Sequence, residues 1–253
     1  MRTVLRLLRA MGKFDGFIGW RTSPSNTGWA VESLLVIRDA MLVIFDCDGV
    51  LVDSEHLVNK IEAALLSQWG WPLSAEQARA AFKGRAFRDI AKMIEQNASG
   101  SLPYDWIYEW AMETARGFHE RLQEVPGVRS VLEQLQTDAT PMCVASQSSL
   151  ARVRLSLAIC KVDHYFADRV FTASMVTRPK PAPDLFLHAA RVLKFEPADC
   201  VVIEDSRTGV EAAVAAGMRV YGFAMHEDAL ELERAGATVF HRMSDLKLLL
   251  DDK

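Results

Sequence analysis

"VIFDCDGVLVDSE", residues 43–55, carries the apolar run that begins at Met41 straight into Asp46, Cys47, Asp48 and Gly49. A run that is apolar at every position, not at alternate ones, reads as a strand buried on both faces, the habit of parallel sheets. A carboxylate at the end of such a strand is costly unless it is paired, hydrogen-bonded or holding a metal. Two of them, one residue apart, call for something that compensates both.

The same kind of run recurs at "PMCVAS" (141–146), "CVVIED" (200–205) and "MRVYGF" (218–223), and "TVF" (238–240) adds a shorter one. Between them "SLARVRLSLAI", "PDLFLHAARVLKF" and "TGVEAAVAAG" place apolar residues at helical spacing, the last stopping at Gly217. Strands alternating with helices predict an α/β fold, a doubly wound, Rossmann-like parallel sheet. Residues 56–124 break that rhythm. "HLVNKIEAALLSQWGW", "AEQARAAF", "AFRDIAKMIEQ" and "YDWIYEWAMETARGFHERL" all read as helices with no strand among them. The expected organisation is an α/β core from 41–55 and 125–253 and an inserted helical cap over 56–124. Its hinges fall near 53–57 and 123–127.

The totals narrow the function. With 253 residues, half of them hydrophobic and a quarter charged, the composition is that of an ordinary globular protein. A net charge of −4 offers no basic footprint, so nucleic acid is not an expected partner. No apolar stretch approaches the roughly 20 residues of a membrane span. Cys47, Cys143, Cys160 and Cys200 form no CxxC pair and read as small buried residues of a reducing, cytoplasmic setting. The expected state is a monomer or weak homodimer. Residues 1–40 differ, with six basic and three acidic residues against 23 and 30 in the remainder. They lack a clean signal-peptide layout and read as a non-essential N-terminal extension.

In open α/β sheets, ligands bind outside the carboxyl ends of the strands. Three of the runs end there in polar residues: Asp46 and Asp48, Ser146, and Glu204 with Asp205. Lys180 comes from "RPKPAPD" (178–184), a stiff proline-bracketed loop ahead of a helix. Carboxylates from two strands, a hydroxyl from a third and an amine from a loop suit Mg²⁺ together with a phosphate. Each element alone has a plainer reading. DxDG is a turn with an Asx cap, Ser146 a helix N-cap, Lys180 a solvated lysine, and Glu204–Asp205 a helix start. Asp184 reads as a first-turn acid. The four in this order are far more specific than any one.

Taken together, "FDCDGVLVDSE", "CVASQSS", "RPKPAPD" and "VVIEDSRTGVEAAVAAGM" resemble the four motifs of the haloacid dehalogenase superfamily, over nearly all of residues 41–253. The helical insert is similar to the cap of the beta-phosphoglucomutase-like branch. The middle motifs resemble its sugar-phosphate phosphatases, the 6-phosphogluconate phosphatases among them. The resemblance implies that Asp46 is the nucleophile and Asp48 the general acid and base. Ser146 and Lys180 would bind the phosphoryl oxygens. Mg²⁺ would be held by Asp46, the Asp48 carbonyl and Asp205, with Glu204 acting through water. It further implies that "FKGRAFRD" (82–89) reaches over the site, with Lys83, Gly84 and Arg85, and Glu55 at the hinge, facing the sugar. Gln147 departs from the motif. Cys47 reads as a core side chain, because strand alternation turns it away from both carboxyls. The expected activity is Mg²⁺-dependent hydrolysis of a small sugar phosphate or phosphorylated sugar acid through an aspartyl-phosphate. A phosphosugar mutase, and a catalytically silent sugar-phosphate-binding regulator, stand as alternatives.

Overall fold

In the computed structural model, which describes residues 41–82, 87–98, 102–225 and 229–251, six strands form one parallel sheet. They are β1 (Leu42–Phe45), β2 (Met142–Ser146), β3 (Val170–Thr172), β4 (Cys200–Glu204), β5 (Arg219–Phe223) and β6 (Thr238–Phe240), in the order β3-β2-β1-β4-β5-β6. The extension expected over residues 1–40 lies outside the described residues. No described helix is long and apolar enough to cross a membrane.

The continuous apolar runs are explained by two cores. In β1, Val43 and Phe45 face one hydrophobic cluster while Leu42 and Ile44 face the other. On the first side lie α5 (Val128–Thr137), α6 (Leu150–Ile159) and α10 (Leu246–Asp251), which contribute Leu132, Leu157 and Leu246. On the second lie α7 (Asp184–Leu193), α8 (Arg207–Ala215) and α9 (Ala229–Ala235), through Phe186, Val210 and Leu232. Helices on both faces make the sheet doubly wound, as the alternation of runs predicted. Chain order reverses beside β1: β2 and β3 build outward on one side, β4 to β6 on the other. That reversal opens a crevice at the carboxyl edge.

Strand β3 was not expected from the sequence. Its three residues, "VFT", are too few to show a period, and it is defined by pairing Phe171 with Ala145 on β2. Ser146 does not cap the following helix either. Ser149 does so, its hydroxyl accepting from the Arg152 amide at 3.4 Å.

Between β1 and α5 the described residues form four helices and no strand: α1 (Ser54–Gln68), α2 (Ala75–Phe82), α3 (Phe87–Asn97) and α4 (Trp106–Arg121). Their apolar faces meet around Trp69, whose ring packs edge-on against Trp106 at 5.6 Å, with Trp110 stacked on Trp106 at 6.0 Å. The two connections to the sheet run side by side. The Asp53 amide donates to Gln123 at 2.9 Å and the Val125 amide to Leu51 at 3.0 Å.

One acid is buried in this helical insert. Glu62 on α1 is 9% exposed, and burial together with the nearby Glu55 lifts its carboxyl from an ordinary 4.5 to about 7. The folded chain therefore holds a proton that the unfolded chain has released between those values. The stability linked to that proton is complete below about pH 4.5 and is lost as pH rises through 7. Glu62→Gln is expected to raise unfolding free energy by roughly 2–3 kcal/mol at pH 8 and to change it little at pH 4. Urea midpoints at the two pH values measure the difference; an equal effect at both would show that the carboxyl is not perturbed.

Candidate active site

Three strands end level at the crevice, because Phe45 is in register with Val144 of β2 and with Ile203 of β4. The residues that follow are therefore delivered to one edge: Asp46 after β1, Ser146 closing β2, and Glu204 and Asp205 at the end of β4. The Asp46 amide continues the ladder for one more bond, donating to the Ile203 carbonyl at 2.9 Å. The chain then turns back tightly, with the Gly49 amide bonded to the Val52 carbonyl at 2.8 Å. Gly49 adopts φ +82°, and a Cβ there would lie 1.8 Å from Oδ2 of Asp205. Glycine is required twice over, for the left-handed backbone and for the approach of the second carboxylate.

Lys180 provides the counter-charge. Its amine is buried and donates to Asp46 Oδ1 at 2.7 Å, Glu204 Oε1 at 2.6 Å and the Ala145 carbonyl at 2.9 Å, while lying 4.8 Å from the Phe186 ring centroid. All three ammonium protons are used. Although burial opposes its charge, the two carboxylates hold the amine above the ordinary lysine range. Glu204 is fully engaged, since its Oε2 accepts from the amide and hydroxyl of Ser206, each at 2.9 Å. Asp46 behaves differently: burial, with repulsion from Glu204, outweighs Lys180 and raises its carboxyl to about 7.

Asp48 is oriented by donors that the sequence reading did not name. Its Oδ1 accepts from the Ser54 hydroxyl at 2.5 Å and from Arg152 Nη2 at 3.4 Å, and its Oδ2 accepts from the Ser148 hydroxyl at 2.7 Å. Ser54 and Ser148 stand inside the motifs already quoted. Arg152 lies beyond them, on the first turn of α6, and its guanidinium also rests 4.7 Å from the Phe118 ring of α4. Only the fold brings it there. Cys47 is buried, and burial pushes its thiol upward, in keeping with a core side chain.

Asp46, Asp48, Ser146, Lys180, Glu204 and Asp205 all line one cavity of about 660 Å³, whose wall from the helical insert includes Glu55 and Ala80. Ser146 is buried, its Oγ accepting from the Ser148 amide at 3.1 Å. Glu55 is tied to Arg79 at 3.6 Å. Lys83, Gly84 and Arg85 lie outside the described residues. Among those described, no three His, Cys, Asp or Glu side chains form a self-sufficient metal site. Asp205 nevertheless accepts no hydrogen bond among them, and burial with repulsion from Glu204 and Asp46 raises its carboxyl well above the usual range. Two carboxyls that a cation would relieve, beside a free backbone carbonyl at Asp48, are a partial oxygen set that a hard cation completes with phosphate and water.

A family profile for haloacid dehalogenase-like hydrolases matches residues 43–223. The chain is 28% identical to a 6-phosphogluconate phosphatase of Escherichia coli (strain K12), over 81% of this chain and 91% of that one. It is 33% identical to a fructose-1-phosphate phosphatase of the same organism, over 70% of this chain and 92% of the relative. A crystal structure of a haloacid dehalogenase family hydrolase from Deinococcus radiodurans R1, with bound phosphate and sodium, superposes with a TM-score of 0.77. That protein is 28% identical, over 85% of this chain and 96% of that one.

Proposed function

The chain belongs to the haloacid dehalogenase-like hydrolase family and is a phosphoric monoester hydrolase; we propose that its substrate is a small phosphorylated sugar or sugar acid. The observation that carries the reading is the buried Lys180 amine, held 2.7 Å from Asp46 and 2.6 Å from Glu204 at the floor of a cavity shared with Ser146 and Asp205. A buried ammonium fixed beside a carboxylate suits an incoming dianion: it screens the nucleophile and supports the charge on the transferring group.

In this reading an Asp46 oxygen bonds to phosphorus as the ester P–O bond breaks, leaving an aspartyl-phosphate. Asp48 gives its proton to the departing alkoxide and later takes one from the water that hydrolyses the acyl phosphate. Ser54, Ser148 and Arg152 keep its carboxyl aimed. Ser146 donates to a phosphoryl oxygen, and Lys180 turns toward the phosphoryl group one of the protons that it shares with Asp46, Glu204 and the Ala145 carbonyl in the free site. Mg²⁺, held by Asp46, the Asp48 carbonyl and Asp205, would offset the charge between nucleophile and phosphate. Glu204, its oxygens occupied by Lys180 and Ser206, would serve that ion through water.

The helical insert acts as a cap that selects the alcohol, with the paired strands of chain at 51–53 and 123–125 as its hinge. Glu55 enters the cavity wall from α1, and Lys83, Gly84 and Arg85 follow α2 in sequence and are proposed to meet the sugar. The test is phosphate release from a panel of phosphorylated metabolites with Mg²⁺ present. Polyhydroxylated sugar phosphates and sugar-acid phosphates are expected to exceed phosphoglycolate at least about tenfold in kcat/KM, with activity lost in EDTA. Preference for phosphoglycolate would overturn the substrate class. An isomeric sugar phosphate without free phosphate would indicate a mutase.

Gly49→Ala tests the turn. The added methyl meets Asp205 and the positive φ is strained, so the carboxylate or the turn must shift. A misplacement on the order of 1 Å costs about 10²-fold in turnover. A variant that folds and still hydrolyses substrate at the wild-type rate would show that Asp205 need not lie where it does.

A further inference from the structure

We infer that the cleft between α1, α4 and α6 is a binding site for a small apolar molecule bearing a protonated amine. The cleft encloses about 600 Å³ and shares no wall residue with the cavity that holds Asp46. That volume falls within the usual range for small-molecule sites, roughly 300–1,000 Å³. Its walls are mostly apolar, with Trp110 and Phe118 inside and Ile107 and Leu155 at the rim, the last two 48% and 53% exposed.

The polar groups in it determine the ligand's chemistry. Glu62 is 9% exposed and makes no hydrogen bond or ion pair among the described residues. The hydroxyl oxygen of Thr114 is buried and likewise has no partner. A buried hydroxyl without a partner and a carboxyl without a protein counter-charge line the same apolar cleft, and a cationic donor would satisfy both. Arg152, the cation that reaches this cleft, is already committed to Asp48 and to the face of Phe118. The charge left open on the walls of the cleft is therefore that of the Glu62 carboxylate. A primary ammonium presents three donors and no acceptor, enough for Glu62 and Thr114 together. The aromatic ring of Trp110 adds attraction for the cation, while the ligand's hydrocarbon covers the exposed rim.

2-Phenylethylamine is the probe, titrated into the full chain at pH 7.5 and followed by calorimetry and tryptophan fluorescence. Saturable one-to-one binding is expected. It should weaken at least tenfold in Glu62→Gln, a variant expected to be more stable than the parent and therefore folded, and severalfold in Thr114→Val. 3-Phenylpropionate, of similar size and opposite charge, should not bind at the same concentrations. Unsaturable titration, undiminished binding by Glu62→Gln, or equal binding of the carboxylate would overturn the inference. A dimer split by Ile107→Glu, with no amine binding in the parent, would also overturn it and assign the cleft to a second copy of the chain.

Discussion

Lys180→Met is expected to lower the unfolding free energy by about 3–5 kcal/mol, the cost of leaving a buried charge without its partner. Methionine keeps most of the side-chain volume and can still pack on Phe186, so the loss isolates the ammonium and its bonds to Asp46, Glu204 and Ala145. What remains is two buried carboxylates facing each other and an unpaired carbonyl. Native domains are stable by only about 5–15 kcal/mol, so the variant is folded but marginal. Acid should help it. Without the amine the Asp46 carboxyl, already raised by burial, takes up a proton more readily, so the deficit against wild type narrows from pH 8 to pH 5.5. Urea midpoints at both pH values measure this. Turnover should fall by a further 10²–10³-fold or so in whatever fraction is folded, the usual effect of removing a fixed donor from a developing anion. An unchanged midpoint would show that Lys180 does not balance those acids.

Much of this architecture was legible in the chain because its signals are continuous. The runs at β1, β2, β4 and β5 are apolar at consecutive positions and long enough to exclude a half-buried strand, which made a sheet covered on both faces the natural reading. The polar residues at their ends then fell at one edge once the strands were parallel, so Asp46, Ser146, Glu204 and Asp205 followed from topology. Lys180 was found by its motif, but its bonds were not foreseeable: that one amine would satisfy Asp46 and Glu204 together depends on a loop whose course no periodicity records. Two kinds of feature escaped. Strand β3 is three residues long and exists by pairing with β2, a contact that local sequence does not encode. Arg152 sits at a helix position indistinguishable from a solvated arginine, and only the packing of α6 beneath α4 turns it toward Asp48.

Asp46→Asn should separate the catalytic use of the site from its contribution to folding. The substitution is nearly isosteric, and the amide oxygen can still accept from Lys180, but a neutral amide does not attack a phosphate ester. Turnover with p-nitrophenyl phosphate or a sugar phosphate is expected to fall by at least about 10⁴-fold, since a missing nucleophile removes the whole covalent route. Stability should move the other way. In the metal-free protein, burial raises the Asp46 carboxyl from 3.8 to about 7, so folding favours its neutral form. The associated stabilisation is complete below pH 3.8 and is lost as pH rises through 7. Asparagine stays neutral throughout, and so, in EDTA, the variant's melting temperature should match or exceed wild type at pH 8, with the gap closing toward acid. A residue kept for structure would show the reverse, a loss of stability on substitution with activity falling only in proportion to the unfolded fraction. Finding that pattern would remove Asp46 from the chemistry. A more stable, inactive protein would place it in the chemistry, because burying a carboxylate at a cost to folding is explained by what it does to the substrate or to the cation beside it.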